Sequence, residues 1–348
     1  MDIKPKFISF EHLFPRLYQQ IPGLIKGTYY SVTGATGTGK TKYAKFLFVD
    51  HAYKYCKEQS IPLNILYFAL EESVEKFWVT MTCDLLYEKF KTTITYYQYK
   101  GYHPGLTPEI LDQIESVQDT IEDMKKYITV IDYVSNPTGC YKTVRSLMDK
   151  LGTKEDGIVE VDEFGNKYNS FNYTYNNPDT HVIVMIDHIS LMSPEKNQFS
   201  DCSTVHAAMS KWSEYVVRYI CKKYQCIVCN VHQQAMSSDN TDNLKNDNLQ
   251  PALSKFGDNL MISRDYMVVF SLFNPSRYKS TSREYSGYDM VKLKDAFREV
   301  SVLKHRDGKD SFSSPMYFNG KINYYKELPR PDDATSLQKV YNKIEKEH

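Results

Sequence analysis

The segment GATGTGKT, from Gly34 to Thr41, constrains what this chain can fold into more than any other part of the sequence. It follows a β-branched and aromatic run, TYYSVTGA, and precedes a helix-compatible stretch that starts at Lys40. The spacing fits GxxxxGK[ST], a loop whose glycines let backbone N–H groups point at phosphates while the following helix adds its positive end. We therefore predict a nucleoside triphosphate site formed by Gly34, Ala35, Thr36, Gly37, Thr38, Gly39, Lys40 and Thr41.

Three side chains are expected to complete the phosphate and metal contacts of this loop. Lys40 should reach the β- and γ-phosphates, and the Thr41 hydroxyl should bind Mg²⁺. Asp187 ends the apolar run HVIVMID, which is typical of a strand buried on both faces, and should lie at the sheet edge where wound α/β folds bind ligands. There it can hold the metal, or it can be an ordinary strand-end or helix-capping acid. The cofactors that this pattern predicts are ATP and Mg²⁺.

Other predicted strand ends carry residues that could act on the γ-phosphate. Glu71 directly follows NILYFAL, where a carboxylate could orient and deprotonate the attacking water. An acid in a first helical turn can equally well have no role beyond its favourable interaction with the helix dipole, and the adjacent Glu72 is a second acid at this position. Gln233 follows the strand predicted at 225–231 and could sense the γ-phosphate, although a solvated loop amide fits as well. His232 is interpreted as structural.

Lys304 and Arg306 end a late predicted strand, at alternate positions that share one face. They are either a surface pair or two cations inserted into the nucleotide site of a neighbouring subunit.

Short apolar runs alternate with helical patterns, which predicts an α/β fold with a central, mostly parallel sheet flanked by helices. The strands are predicted at 28–35, 64–70, 127–134, 181–187, 225–231 and 267–273, and the helices at 40–58, 72–90, 140–151 and 203–223. Two later strands, 297–305 and 314–325, form a C-terminal extension, the second of them a β-hairpin turned by Asn319 and Gly320.

We divide the chain into an N-terminal segment (1–22) that could form a docking helix, an ATPase core (23–326) and a C-terminal tail helix (327–348). Two polar stretches interrupt the core. Residues 152–180 are predicted to be a hairpin-like insertion. Residues 234–258 are too long for a passive connector and are expected to be functional.

Composition limits the classes of protein that this chain can be. Its 43 Lys and Arg balance 43 Asp and Glu, so no overall basic excess points to nucleic acid, although a narrow basic lining would not appear in the sum. No apolar stretch is long enough for a membrane span, and the first residues lack a signal-peptide core, so we expect a cytoplasmic protein. Cys226 and Cys229 form a lone CxxC, which we interpret as buried strand thiols and not as a zinc site.

Five motifs, taken in order, resemble the ATPase domain of DnaB-like replicative helicases, which has a RecA-like P-loop NTPase fold. The resemblance covers roughly residues 10–326. The motifs are IPGLIKGTYYSVTGATGTGKT at the phosphate-binding loop, FALEES, VIVMIDHISLM, NVHQQ and LKHRDGKDSFSSPMYFNGKINYY.

The resemblance implies a role for a residue of each later motif. Glu71 would be the catalytic base, Asp187 the Walker B acid, and Gln233 the link between nucleotide and DNA. Lys304 and Arg306 would reach across the subunit interface.

The resemblance also implies a hexameric ring that translocates on single-stranded DNA during replication, with a primase or loader as a further partner. The compact form would suit a phage protein acting in the host cytoplasm. The loop 234–258 would carry DNA contacts, and Lys245 and Lys255 are its obvious cations, which predicts a shallow salt dependence. The alternative is a RecA-like recombinase or mediator that coats single-stranded DNA as a filament without unwinding.

Overall fold

A nine-stranded sheet organises the chain in a computed structural model, which describes residues 7–161, 165, 167–195, 202–235, 249–278 and 283–347. The strands are β1 (Phe7–Ser9), β2 (Gly23–Ile25), β3 (Tyr29–Gly34), β4 (Leu63–Ala69), β5 (Ile128–Ile131), β6 (Gly152–Val161), β7 (Lys167–Tyr175), β8 (His181–Asp187), β9 (Ile227–Gln233), β10 (Val268–Phe273), β11 (Glu284–Tyr285), β12 (Tyr288–Asp289), β13 (Phe297–His305), β14 (Phe312–Asn319) and β15 (Tyr324–Glu327).

The α-helices are α1 (Pro15–Tyr18), α2 (Lys40–Lys45), α3 (Ala52–Glu58), α4 (Val74–Phe90), α5 (Tyr96–Tyr99), α6 (Pro108–Ser116), α7 (Gln118–Lys125), α8 (Pro137–Leu151), α9 (Val205–Tyr215), α10 (Met290–Leu293) and α11 (Ala334–Glu347). A π-helical turn, Phe46–His51, joins α2 to α3, and a second one, Val216–Cys221, extends α9. Short 3₁₀ turns lie at Ile189–Leu191, Leu253–Lys255, Leu260–Arg264, Pro275–Arg277 and Lys294–Ala296.

The strand order in the sheet is β15-β14-β13-β10-β3-β9-β8-β4-β5. The six strands from β10 to β5 are parallel, and β13, β14 and β15 continue the sheet in antiparallel pairing. This confirms the predicted α/β fold with a mostly parallel sheet and a C-terminal β-hairpin. The parallel strands β3, β4, β8 and β9 therefore end at one common edge, where ligands bind in such folds.

Each face of the sheet has its own apolar core, because successive side chains of a buried strand point to opposite sides. One face packs against α2, α4 and α7, and the other against α8 and α9. Cys229 lies on β9 in the first core, as predicted for a buried strand thiol. Cys226 is equally buried, in the second core, but it directly precedes the strand, which starts at Ile227 and not at the predicted residue 225. Among the described residues, His, Cys, Asp and Glu side chains form no group of three or more that could hold a metal ion by itself.

Local signals account for where several elements begin. Helix α4 starts at Val74, two residues later than the predicted start at 72, because the Ser73 side chain accepts the N–H of Lys76 and caps the helix. Asn136 caps α8 in the same way, and Pro137 fills the first helical position, so this helix begins before the predicted start at 140. Across the described ranges, every helix is too short or too polar to cross a lipid bilayer.

The remaining segments surround this core. Strands β6 and β7 form an antiparallel hairpin between α8 and β8, within the polar stretch 152–180. Near the N-terminus, Phe10, Phe14 and Leu17 are fully buried in the core of the same chain. At the other end, Asp333 caps α11 through its bond from the Ser336 N–H.

Candidate nucleotide-binding site

The loop from Gly34 to Thr41 connects β3 to α2 at the common strand edge. Two of its glycines occupy backbone positions that exclude a side chain. A Cβ on Gly39, whose φ is 96°, would lie 2.6 Å from the Tyr325 hydroxyl, and a Cβ on Gly34 would lie 2.5 Å from the Leu272 carbonyl oxygen. The loop therefore needs glycine there for close approach to the strands around it as well as for its turn.

Lys40 begins α2 with its side chain folded back over the loop. Its ammonium donates to the carbonyl of Ala35 at 2.9 Å and is almost fully buried. Burial lowers the pKa of Lys40 to about 8, and the nearby Asp187 and Glu71 carboxylates oppose that shift. The hydrogen-bond acceptor that holds this ammonium is a neutral carbonyl, which the ammonium can exchange for phosphate oxygens.

Thr41 and Asp187 connect the loop to the end of β8. The Thr41 hydroxyl donates to Asp187 Oδ1 at 3.1 Å, and Asp187 Oδ2 accepts the Tyr67 hydroxyl at 2.8 Å. Burial raises the pKa of Asp187 to about 6, even though these two hydroxyl donors favour the charged form. The next peptide bond, between Asp187 and His188, is cis.

These oxygens suit a magnesium ion. Mg²⁺ binds hard oxygen ligands and usually takes only one or two from protein, with the rest from phosphates and water. The Thr41 hydroxyl and the buried Asp187 carboxylate supply such a pair at the mouth of the loop. A divalent cation beside Asp187 would also offset the cost of its burial. The residues therefore fit the metal that the sequence pattern implies.

Glu71 and Glu72 lie in different surroundings although they are adjacent in the chain. The Glu72 carboxylate pairs with the Lys45 ammonium at 2.8 Å, with both side chains nearly buried, and lies 3.1 Å from the Tyr67 hydroxyl. The Glu71 side chain is 61% exposed and lies 4.0 Å from His188 Nε2, an imidazole whose pKa is lowered by burial, which favours its neutral form. Of the two acids, Glu71 is the one whose carboxylate is available to a water molecule.

Gln233 contacts the loop at the end of β9. Its side-chain amide donates to the hydroxyl of Thr36, and its backbone carbonyl accepts the N–H of Gly257 at 3.0 Å. It therefore joins the phosphate-binding loop to the chain that follows β9. His232 is fully buried, with Nε2 2.7 Å from the Gly257 carbonyl oxygen, and burial lowers its pKa to about 4, as expected for a structural histidine.

Lys304 and Arg306 lie at the opposite edge of the sheet. Their side chains donate to the carbonyl of Arg264, Lys304 at 2.8 Å and Arg306 at 3.2 Å. The backbone N–H of Arg306 bonds to the carbonyl of Met267, whereas Gly34 of the loop pairs with Leu272. These two partners are five residues apart, which at about 3.3 Å per residue separates Arg306 from the loop by about 16 Å along the strand. The fold thus keeps both cations out of the nucleotide site of their own chain.

Of the two lysines expected to contact DNA, Lys255 lies in the described part of the loop. Its ammonium donates to the Gln250 carbonyl at 2.8 Å, and its backbone carbonyl accepts the N–H of Ala235. Lys245 lies outside the described residues.

Two residues near the loop were missed at the level of sequence. Arg298 on β13 donates from Nε to the Thr38 carbonyl at 2.8 Å, and the Tyr325 hydroxyl on β15 donates to the Gly39 carbonyl at 3.0 Å. Nothing in the local pattern separates Arg298 from a surface arginine, because its burial depends on the later antiparallel strands. For Tyr325, the available signal was the Tyr324–Tyr325 pair at the end of the predicted hairpin.

A cavity of about 370 Å³ joins these groups. It is lined by loop residues from Thr36 to Lys42 and, from other elements, by Glu71, His188, Gln233, Arg298 and Phe318. A neighbouring cavity of about 600 Å³ shares Thr41 and Glu71 and extends past Asp187 towards α5. The loop therefore opens onto enough space for a nucleotide.

The fold and this loop define a RecA-like P-loop NTPase architecture. Among solved structures, a DnaB-like replicative helicase, described with its interactions with primase, is similar at a TM-score of 0.66 and 15% identity over 94% of this chain. The chain spans 65% of the length of that helicase. A second solved structure, that of an ATPase domain, is similar at a TM-score of 0.63 and 16% identity, covering 91% of this chain and 90% of the domain. Neither protein-family models nor curated protein sequences match the chain.

Proposed function

We propose that this chain is the ATPase of a DnaB-like DNA helicase, a ring-forming motor that hydrolyses ATP with Mg²⁺ and moves along single-stranded DNA during replication. One observation carries the proposal. Thr41, Asp187, Glu71 and Gln233 converge on one phosphate-binding loop, whereas Arg306 is held at the opposite edge of the sheet. This is the arrangement of a site that a second copy of the chain would complete.

Within the site, each residue has a separate chemical task. The loop N–H groups and Lys40 bind the phosphates, and the positive end of α2 adds to their attraction. Thr41 and Asp187 would hold Mg²⁺, which supplies charge neutralisation at the β- and γ-phosphates. Glu71 accepts the proton of the attacking water, for which its carboxylate is largely exposed and lines the cavity. Lys45 neutralises Glu72, so the second acid adds no uncompensated charge.

The subunit interface would supply the missing cation. Negative charge develops on the transferred phosphoryl group, and an arginine from the neighbouring subunit would stabilise that charge. Arg306 is exposed, and its side chain donates to a backbone carbonyl, a contact that it can exchange for a phosphate. Lys304 is partly buried, donates to the same Arg264 carbonyl, and would orient Arg306.

Contact with single-stranded DNA is assigned to the segment after β9. The Gln233 side chain bonds to the loop and its backbone carbonyl bonds to Gly257, so a change at the γ-phosphate can reach this segment through one residue. Lys255 and Lys245 are its proposed phosphate contacts. A primase or loader would be a further partner of the ring.

Hydrolysis, assembly and unwinding can be tested together. We expect the wild-type chain to hydrolyse ATP with Mg²⁺ and Glu71→Gln to bind ATP but not turn it over. Electron microscopy with an ATP analogue and single-stranded DNA should show closed six-fold rings, and a forked duplex should be unwound. Helical filaments without unwinding would contradict the motor and favour a recombinase-like protein. Normal hydrolysis by Glu71→Gln would remove the proposed base.

A further inference from the structure

Arg298 is a buried arginine at the back of the phosphate-binding loop. Its side chain is 2% exposed, and its guanidinium lies 4.5 Å from the centre of the Phe318 ring. It makes four hydrogen bonds: Nε to the Thr38 carbonyl at 2.8 Å, Nη1 to the carbonyls of Asp295 and Phe297 at 2.7 Å each, and Nη2 to the Asp295 carboxylate at 3.2 Å. A planar guanidinium with this many partners has one orientation only.

The bond to Thr38 fixes a peptide plane that matters for phosphate binding. The Thr38 carbonyl shares its peptide unit with the N–H of Gly39, and in a trans peptide these two groups point in opposite directions. Holding the carbonyl against Arg298 therefore turns the Gly39 N–H away from it. Backbone N–H groups of such loops are the ones that cradle the phosphates.

Gly39 needs this restraint more than another residue would. Its φ is 96°, and a glycine moves between backbone conformations at little cost, so the peptide plane before it can turn readily. The next carbonyl, that of Gly39, is already held by the Tyr43 N–H of the helix and by the Tyr325 hydroxyl. Among the described residues, Arg298 is the side chain that holds the Thr38 carbonyl.

We propose that Arg298 is a positioning residue that presets the phosphate-binding loop for nucleotide by locking the Thr38–Gly39 peptide plane. This proposal rests on the proposed function, because it assumes that the loop binds a nucleotide. Without the bond from Arg298, only a fraction of the molecules has the binding-competent loop conformation, and the affinity for nucleotide falls in proportion to that fraction. The loss concerns phosphates that ADP and ATP share, so both nucleotides are affected alike.

Equilibrium titration with fluorescent ADP and a fluorescent ATP analogue, each with Mg²⁺, tests the proposal on the full chain. Arg298→Met should weaken both affinities about tenfold, which is the size expected if the competent loop falls to about a tenth of the population. KM for ATP should rise while kcat changes much less. Arg298→Lys should weaken binding similarly, because an ammonium keeps the charge but cannot bond to Thr38, Phe297 and Asp295 at once.

Matched controls separate this role from folding and from charge. Arg145→Met removes an arginine on α8 that is 53% exposed and pairs with Asp149, and this variant should bind both nucleotides like the wild type. Melting temperatures without nucleotide identify any variant that does not fold, and Arg298→Lys then carries the test.

Wild-type affinity in Arg298→Met, full rescue by Arg298→Lys, or a loss in kcat alone would each overturn the positioning role. Absence of nucleotide binding by the wild-type chain would instead overturn the proposed function.

Discussion

The Lys45 ammonium and the Glu72 carboxylate form a nearly buried ion pair, 2.8 Å apart, directly beneath the candidate nucleotide site. The pair distinguishes two adjacent acids that local sequence cannot rank. Glu72 is committed to Lys45 and to the Tyr67 hydroxyl, whereas Glu71 projects into the cavity beside the loop. The difference arises because Lys45, on α2, reaches Glu72 in the segment between β4 and α4, and it gives each acid its own experimental signature.

Glu72→Gln should destabilise the fold, and Glu71→Gln should not. The change removes the carboxylate that is hydrogen-bonded to Lys45, and removing one partner of a buried pair typically costs about 3–5 kcal/mol. An exposed acid substituted by its amide usually changes the free energy of unfolding by less than about 0.5 kcal/mol. Urea unfolding of the two variants measures both values. Equal stabilities would show that the Lys45–Glu72 pair is not buried as described.

Asp187→Asn should raise the Mg²⁺ concentration needed for nucleotide binding by at least about tenfold, because Mg²⁺ prefers ionised carboxylate to amide oxygen. Titration of Mg²⁺ at fixed nucleotide, followed by fluorescence, gives the midpoint. An unchanged midpoint would exclude Asp187 as a ligand. Asp149→Asn, on the exposed face of α8, serves as the control for loss of one carboxylate.

Gly39→Ala should abolish nucleotide binding and lower stability more than Gly101→Ala does. Both glycines have positive φ, 96° and 71°, so both substitutions carry backbone strain of about 1–2 kcal/mol. At Gly39 the new methyl group also meets the Tyr325 hydroxyl at 2.6 Å, whereas at Gly101 no atom lies within 4 Å. Thermal unfolding and nucleotide titration of the pair separate strain from collision. Equal losses of stability and of nucleotide binding in the two variants would mean that the Gly39→Ala methyl group does not collide with the Tyr325 hydroxyl.

Asp84 should make the fold less stable as the pH rises from about 4 to about 7. Burial raises the pKa of Asp84 from 3.8 to about 7, so in this range the native state keeps a proton that the unfolded chain has lost. The free energy of unfolding therefore falls as pH rises through the window, and no further change from this group follows above it. Asp84→Asn, which can still accept the Asn323 N–H, should lack this fall. Parallel unfolding profiles at pH 5 to 8 would contradict the prediction.

Much of the fold follows from local pattern. HVIVMID and NILYFAL are central strands because both faces of the sheet are covered by helices, and period and composition detect that directly. The glycine loop between β3 and α2 is likewise set by a few residues. These features depend on neighbours in sequence, so sequence alone suffices.

The supporting contacts of the site could not be predicted in the same way. Arg298 reaches Thr38 across 260 positions of sequence, and Lys45 reaches Glu72 from another element. Such contacts depend on strand order and register, which a single sequence does not specify. The same holds for Arg306, whose distance from its own loop follows from the antiparallel pairing of β13 with β10.

Complementation between two inactive variants tests the shared site most directly. Glu71→Gln chains keep Arg306, and Arg306→Ala chains keep Glu71, so neither has an intact site when assembled alone. We predict that mixing them restores ATP hydrolysis at junctions that combine the two intact residues, to a fraction that depends on the mixing ratio. Full activity of Arg306→Ala on its own, or no gain at any ratio when mixed assemblies form, would contradict a nucleotide site completed by a second subunit.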